Sequence, residues 1–309
     1  MKVFATGAAG YIGSILVPNL LNQGHHVTVL DNFMYGQTPF NQLCGNLNFD
    51  VIKGDARDRR VVLPLLYKAD VFLPLAALVG APLCEADPIG AETTNVDAIA
   101  WSVGSLTDNQ AVIAPISNSG YGVGEPGKEC TESSPLNPIS LYGRTKVAAE
   151  KLVLGHKRSI SLRLATVFGM SPRMRTDLLV NDFVRRAVND RAVVLFEAHF
   201  KRNYIHIKDV ARAFSFAITR LNTMSGPYNV GLSDANLSKL ELCKRIQKHI
   251  PGFVFWEAPI GEDPDKRDYV VSNAKIEAAG FYPHVTLDSG IKELMVGYRM
   301  MKHNQYGNW

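Results

Sequence analysis

The chain has 309 residues, 46% of them hydrophobic and 20% charged, and it carries a formal charge of +4. This length holds one large α/β domain, or a large one with a smaller companion, and the composition excludes long disordered stretches. So mild a charge suits a small anionic ligand and leaves no footprint for nucleic acid, which selects clustered basic residues.

The four cysteines, Cys44, Cys84, Cys130 and Cys243, form no close pair. That argues against a metal cage or a disulfide scaffold and fits a reducing compartment. No secretory signal precedes the first strand-like run, Val3-Phe4-Ala5. The longest apolar stretch, 71–83, holds two prolines and is too short to span a bilayer. A cytoplasmic protein without membrane or metal is expected.

In chain order, apolar runs at 2–6, 26–30, 49–52, 71–74, 111–116 and 161–164 predict strands. Longer amphipathic stretches at 11–22, 94–106 and 141–154 predict helices between them. Such alternation builds βαβ units, hence a parallel sheet covered on both faces. After Gly169 the rhythm changes. Helices are expected at 178–189, 210–221, 239–249, 273–279 and 287–301, with short strands at 193–196 and 204–207. The expected architecture is a doubly wound, Rossmann-type α/β sheet over residues 1–169 and 204–226. A smaller C-terminal α/β substrate domain takes 170–203 and 227–309.

The opening run Val3-Phe4-Ala5-Thr6-Gly7-Ala8-Ala9-Gly10-Tyr11-Ile12-Gly13 places glycines at the end of the first strand, in the turn and inside the first helix. Gly7 permits a tight turn, Gly10 lets a pyrophosphate approach the backbone, and Gly13 lets the helix pack on the strand. The helix N-terminus offers free N–H groups and its positive dipole end to phosphate. Asp31 ends the second strand, where a carboxylate accepts both hydroxyls of an adenosine ribose and repels a 2′-phosphate. NAD is therefore expected, and NADP is not. Tyr11, Ile12 and Asn32 lie beside these groups. Asp55 and Ala56, after the third strand, are placed to meet adenine. Leu75, Ala76 and Ala77, after the fourth, are small residues where backbone would line the nicotinamide side. Asp58 reads as a helix N-cap.

Tyr142 and Lys146 are four apart on a predicted helix and share a face. An ammonium beside a phenol lowers its pKa and makes it a usable base for a sugar hydroxyl. At the end of the fifth strand, Ser117-Asn118-Ser119-Gly120-Tyr121-Gly122 offers hydroxyls to the oxygen that alternates between alcohol and ketone; the alternative is that these serines only satisfy turn backbone.

These segments, with GDARD at 54–58, TNV at 94–96, LRLATVFG at 162–169 and RNYIHIKDVARA at 202–213, resemble the extended short-chain dehydrogenase/reductases, the NAD-dependent epimerase/dehydratase family acting on nucleotide sugars. The resemblance implies Tyr142 as base, Lys146 as its partner and Ser117 as the active hydroxyl, with Ser119 as fallback. It implies Asn95 as a brace at the cofactor, and Arg202 and Arg267 on the substrate diphosphate, where a guanidinium fork matches phosphate. It also implies a homodimer through the helices at 94–106 and 141–154.

Two departures matter. Relatives that eliminate water carry an acidic pair, or at least a Glu, just after the active Ser/Thr, and this chain has Asn118, Ser119 and Gly120. Thr166 stands where many relatives place a substrate-touching Asn. Arg173 and Arg175 either read a phosphate or carboxylate on the sugar or form a basic loop. Cys84 reads as a small packed hydrophobe, His206 as structural, and His199 as a residue that could meet the ligand. The expected function is NAD-dependent epimerisation of a nucleotide sugar through a transient keto sugar. The alternatives are a net oxidoreductase or dehydratase on a similar substrate, and a non-catalytic NAD-binding sensor or scaffold.

Overall fold

A computed structural model describes residues 1–36, 38–125, 127–259 and 267–301. The residues just before Arg267, 260–266, and the end of the expected substrate domain, from 302 on, lie outside the described residues.

The first part of the chain runs β1 (Lys2–Thr6), α1 (Gly13–Asn22), β2 (His26–Asp31), β3 (Phe49–Lys53), α2 (Arg59–Leu66), β4 (Val71–Pro74), α3 (Ala81–Ala86), α4 (Pro88–Glu92), α5 (Ala98–Gly104), β5 (Ala111–Ser117), β6 (Glu129–Cys130), α6 (Leu141–Leu154) and β7 (Ser159–Leu164). The second part runs β8 (Thr166–Phe168), α7 (Leu179–Asn189), β9 (Ala192–Leu195), β10 (Lys201–His206), α8 (Ile207–Thr219), β11 (Gly226–Val230), β12 (Asn236–Ser238), α9 (Lys239–His249), β13 (Val254–Glu257), β14 (Val270–Val271), α10 (Ala274–Ala278) and α11 (Leu287–Met300).

Seven parallel strands form the main sheet in the order β11-β7-β5-β4-β1-β2-β3. Both faces are covered, so each strand alternates between two apolar layers. Val3, Ala5, Val27, Val29, Ile113 and Leu162 pack with Leu16, Leu20 and Phe214 of α1 and α8. Phe4, Leu30, Phe72, Val112 and Ile116 pack on the other side with Val62, Ile99 and Val153 of α2, α5 and α6. Phe4 and Phe72 stack there with ring centres 5.6 Å apart.

Local signals set several helix starts. Asp58 caps α2 by accepting from the Arg60 amide, as expected of it, Ser140 caps α6 through the Gly143 amide, and Ser238 with Glu241 forms a capping box on α9. No side chain caps α1, which leaves its N-terminus to a ligand.

The helix expected over 94–106 starts earlier, at Pro88, and runs unbroken to Gly104, with a π-helical turn over Thr93–Asp97 between α4 and α5. Such widened turns occur where a side chain must be re-aimed, and here the residue is Asn95. The strand expected at 204–207 begins earlier, and His206 ends it by capping α8. This strand leaves the main sheet and pairs with β8 and β12. Strand β11, beyond the boundary expected at 226, is the edge of the seven-stranded sheet. A second apolar cluster unites α7, α9 and α11 around Val184, Leu242, Ile246, Ile291 and Leu294. Asp209, fully buried on α8, accepts from the amides of His284 and Val285 and so ties the approach to α11 onto the main sheet's helix.

Candidate active site

A cavity of about 880 Å³ opens beyond the carboxyl ends of the central strands. Strand order reverses between β1 and β4, which is where a doubly wound sheet binds its ligand.

Its floor is the first βα turn. Gly7 has φ +67°, and a Cβ there would lie 2.4 Å from the Ala76 Cα. A Cβ on Gly13 would lie 2.1 Å from the Ala8 carbonyl oxygen. Both positions therefore exclude any side chain, and the uncapped start of α1 faces the cavity with Gly10, Tyr11 and Ile12. At the end of β2, the Asp31 carboxylate accepts from the amides of Ala9 (2.9 Å) and Phe33 (2.8 Å). Burial raises its pKa, and those amides and Arg173 pull it back down. Asn32 accepts from the Met34 amide at 3.1 Å, and this double turn holds Phe33 at φ +53°. Asp55 and Ala56 line the wall, with Asp55 gripped by Arg57 through Nε and Nη2. Leu75, Ala76 and Ala77 line the opposite side. A glycine turn, a free helix N-terminus and a carboxylate at the tip of β2 fit a dinucleotide.

Ser117, Tyr142 and Lys146 share the inner wall. Ser117 ends β5, while Tyr142 and Lys146 sit on the first turns of α6. Burial raises the Tyr142 pKa, and Arg175, Arg267 and the nearby Ser117 hydroxyl lower it. Lys146 is not among the groups that move the phenol most, and burial brings the lysine itself down to about 8.

Ser119 and Asn95 do not line the wall. Ser119 is buried in a short turn after β5, and its amide donates to Ser117 Oγ at 3.1 Å. Asn95 lies behind the wall: its Oδ1 accepts from the Leu78 amide, and its Nδ2 donates to the Leu78 carbonyl and to Thr145 Oγ1. It braces α6 against the loop after β4. Cys84 donates to the same Leu78 carbonyl at 3.3 Å, and burial pushes its thiol up to about 11. That is the packed, protonated cysteine expected. His206 is wholly buried against Phe168 and lies 3.3 Å from Glu293. His199 is exposed and meets Phe200 instead of the cavity.

Thr166, Arg173, Arg202 and Arg267 line the cavity, together with Arg175, Asp177, Lys239 and Tyr35. Arg175 holds Asp177 through two nitrogens, at 3.2 and 2.5 Å. The sequence reading missed Asp177, Lys239 and Tyr35. Lys239 carried a local signal, since it follows the capping serine of α9. Asp177 and Tyr35 carried none. Among the described residues there is no group of three or more His, Cys, Asp or Glu able to hold a metal, and no helix is long and apolar enough to cross a membrane.

Residues 3–231 match the NAD dependent epimerase/dehydratase family. The low-salt glycan biosynthesis protein Agl12 of Haloferax volcanii is 30% identical, over 94% of this chain and 96% of its own. UDP-glucuronic acid decarboxylase 1 of Arabidopsis thaliana is 27% identical, over 97% of this chain and 70% of its own. Among solved structures, UDP-glucose 4-epimerase of Thermus thermophilus in complex with NAD is 25% identical, with TM-score 0.82 over 97% of this chain and 99% of that one. Family match, relatives and geometry agree: the chain is an NAD-dependent enzyme and belongs to the NAD dependent epimerase/dehydratase family.

Proposed function

We propose that the enzyme is a nucleotide-sugar epimerase, inverting one ring carbon through a transient keto sugar. The observation that carries this reading is that Ser117, Tyr142 and Lys146 line one cavity while the turn after Ser117 places Asn118, Ser119 and Gly120 where an acid would stand. Elimination of water needs an extra acid and base at the reacting carbons. Here Asn118 and Ser119 are buried behind the wall. Among the described carboxylates lining the cavity, Asp31, Asp55, Asp87 and Asp177 are held by backbone or arginine donors. Glu85 lines the cavity from α3 and is exposed.

NAD, held on the glycine turn and Asp31, would supply the hydride chemistry at the ring carbon. Tyr142 would take the proton of the ring hydroxyl, and Ser117 would hold the same oxygen as it becomes a ketone. Arg175 and Arg267 favour the phenolate, and Lys146 lies one turn on from Tyr142. Tyr142 would give the proton back once the ketone has turned its other face. Arg202, Arg267 and Lys239 supply cations for the diphosphate of the substrate. Asp31 favours NAD over NADP. Residues 170–203 and those after β11, from 231 on, form the substrate-binding part, and two copies pair through α5 and α6, which light scattering tests.

A second reading is decarboxylation of a nucleotide-linked uronic acid. The Arabidopsis relatives support it, being 27–28% identical over 97% of this chain. The same oxidation would generate a β-keto acid that loses carbon dioxide without a further acid. Incubating the enzyme with UDP-glucose and with UDP-glucuronic acid, without added NAD, separates the two by NMR. Epimers of unchanged mass support epimerisation; a pentose product overturns it.

A further inference from the structure

The segment between β8 and α7 is fixed to the glycine turn at its base. Ser171 Oγ donates to the Tyr11 carbonyl at 2.9 Å and lies 2.6 Å from Ser14 Oγ. The Tyr11 phenol donates to the Gly169 carbonyl at 2.7 Å, and Asn181 Nδ2 reaches both that phenol and the Arg175 carbonyl. Two residues beyond Ser171, Arg173 crosses to the far side of the cavity. Its guanidinium lies 3.8 Å from the centre of the Tyr35 ring, in the loop that follows Asp31. Arg173 is only 2% exposed, and Met174 beside it is anchored in the second apolar cluster. Arg175 turns the other way, toward Asp177 and the Tyr142 end.

Burying a guanidinium costs several kcal/mol on the order-of-magnitude scale unless it is compensated. An aromatic face and a nearby carboxylate compensate this one. Asp31 and Arg173 are close enough that each acts on the other's ionisation. The cavity that runs from Asp31 past the glycine turn to Tyr142 is lined by Arg173 and Tyr35 as well.

We propose that residues 171–175 form a strap over the NAD cleft, clasped by the Arg173–Tyr35 stack, which retains the cofactor between turnovers. Arg173 is then a cofactor-side residue, and its expected place on the sugar is set aside. The strap rests on NAD binding and holds whichever reaction the enzyme performs. Release of NAD requires the clasp to open, so breaking it speeds exchange.

The test follows exchange of bound NAD for isotopically labelled NAD by mass spectrometry of the intact protein. Arg173→Gln and Tyr35→Leu should each speed exchange roughly ten-fold or more, the scale of a desolvated cation–π contact. Tyr35→Phe keeps the ring and should exchange like the wild type. The double variant should exchange no faster than the faster single one, since both break one clasp. Wild-type exchange in Tyr35→Leu, or equal acceleration in Tyr35→Phe, overturns the strap. Should Arg173→Gln fail to fold, the two Tyr35 variants decide alone. Wild-type protein that binds no NAD would instead overturn the premise.

Discussion

Ser117 and Tyr142 come from different elements, one ending β5 and the other opening α6, yet they line the same cavity, and the serine hydroxyl lies near enough to lower the phenol's pKa. Two hydroxyls so placed can meet one substrate oxygen. Tyr142→Phe should therefore keep NAD and lose turnover by about 10²–10⁴-fold. Ser117→Ala should cost kcat while leaving NAD stoichiometry intact. Steady-state rates with NAD quantified in the same preparation check both, and normal kcat in the Tyr142→Phe enzyme refutes the assigned base.

The pH dependence follows from the pair. Lys146 loses its proton near pH 8 while burial keeps Tyr142 protonated to higher pH, so the positive charge one turn from the phenol is lost as pH passes about 8. Activity should fall over that range. Arginine at 146 keeps its charge at every accessible pH, so Lys146→Arg should shift this limb or abolish it. A flat kcat/KM between pH 6.5 and 9.5 in the wild type (a range chosen to bracket the lysine value) contradicts the assignment.

The same shift has a stability consequence of definite sign. The lysine's folded pKa lies below its unfolded value, so the charged form is penalised in the native state. That penalty is full below about pH 8 and fades as pH approaches the unfolded value near 10.4. Lys146→Met should thus raise the melting temperature at pH 7, with the gain shrinking toward pH 10. Calorimetry across that range reads it directly; a gain that grows with pH argues against the buried charge.

Away from the cavity, Glu150 accepts from Ser161 Oγ and from Arg163 through Nε and Nη2. Both partners of the pair are buried. Arg163 also donates to Tyr121 and the Glu132 carbonyl, which ties the turn after β5 to α6. Breaking one partner strands the other charge, so Arg163→Met should cost about 3–5 kcal/mol in denaturant unfolding. Replacing both with apolar residues should recover most of that loss, and equal loss in the single and double variants would show the pair is not the cause.

Asp31 offers a prediction for selectivity. Asp31→Ala removes the carboxylate at the end of β2 and should weaken NAD while relaxing discrimination against NADP about ten-fold or more. Competition binding of the two cofactors measures it. An unchanged NAD/NADP ratio places the selectivity elsewhere.

How far the residues announced this site depended on distance along the chain. Gly7, Gly13 and Asp31 lie within one βαβ unit and Tyr142 and Lys146 within one helical turn, so their spacing, read with the order of motifs around them, was enough to bring them to one cavity. The strap was illegible because Arg173 and Tyr35 lie far apart in the chain and meet only through tertiary closure. Asn95 was placed near the centre, yet its role follows from a π-turn that no periodicity foretells. The phenol pKa went the other way because burial, which the sequence does not print, outweighs the neighbouring lysine. Strands β6 and β14 have two residues each, too few for alternation to register.

The central claim is that the hydride leaves and returns to one carbon with the cofactor in place. A nucleotide sugar carrying deuterium on that carbon, given to the enzyme without added NAD, tests it most directly. Epimerisation predicts a product of inverted configuration with the deuterium still on that carbon, none in solvent, and no accumulated NADH. Loss of the label to free NADH, or a product lighter by water or carbon dioxide, would contradict it.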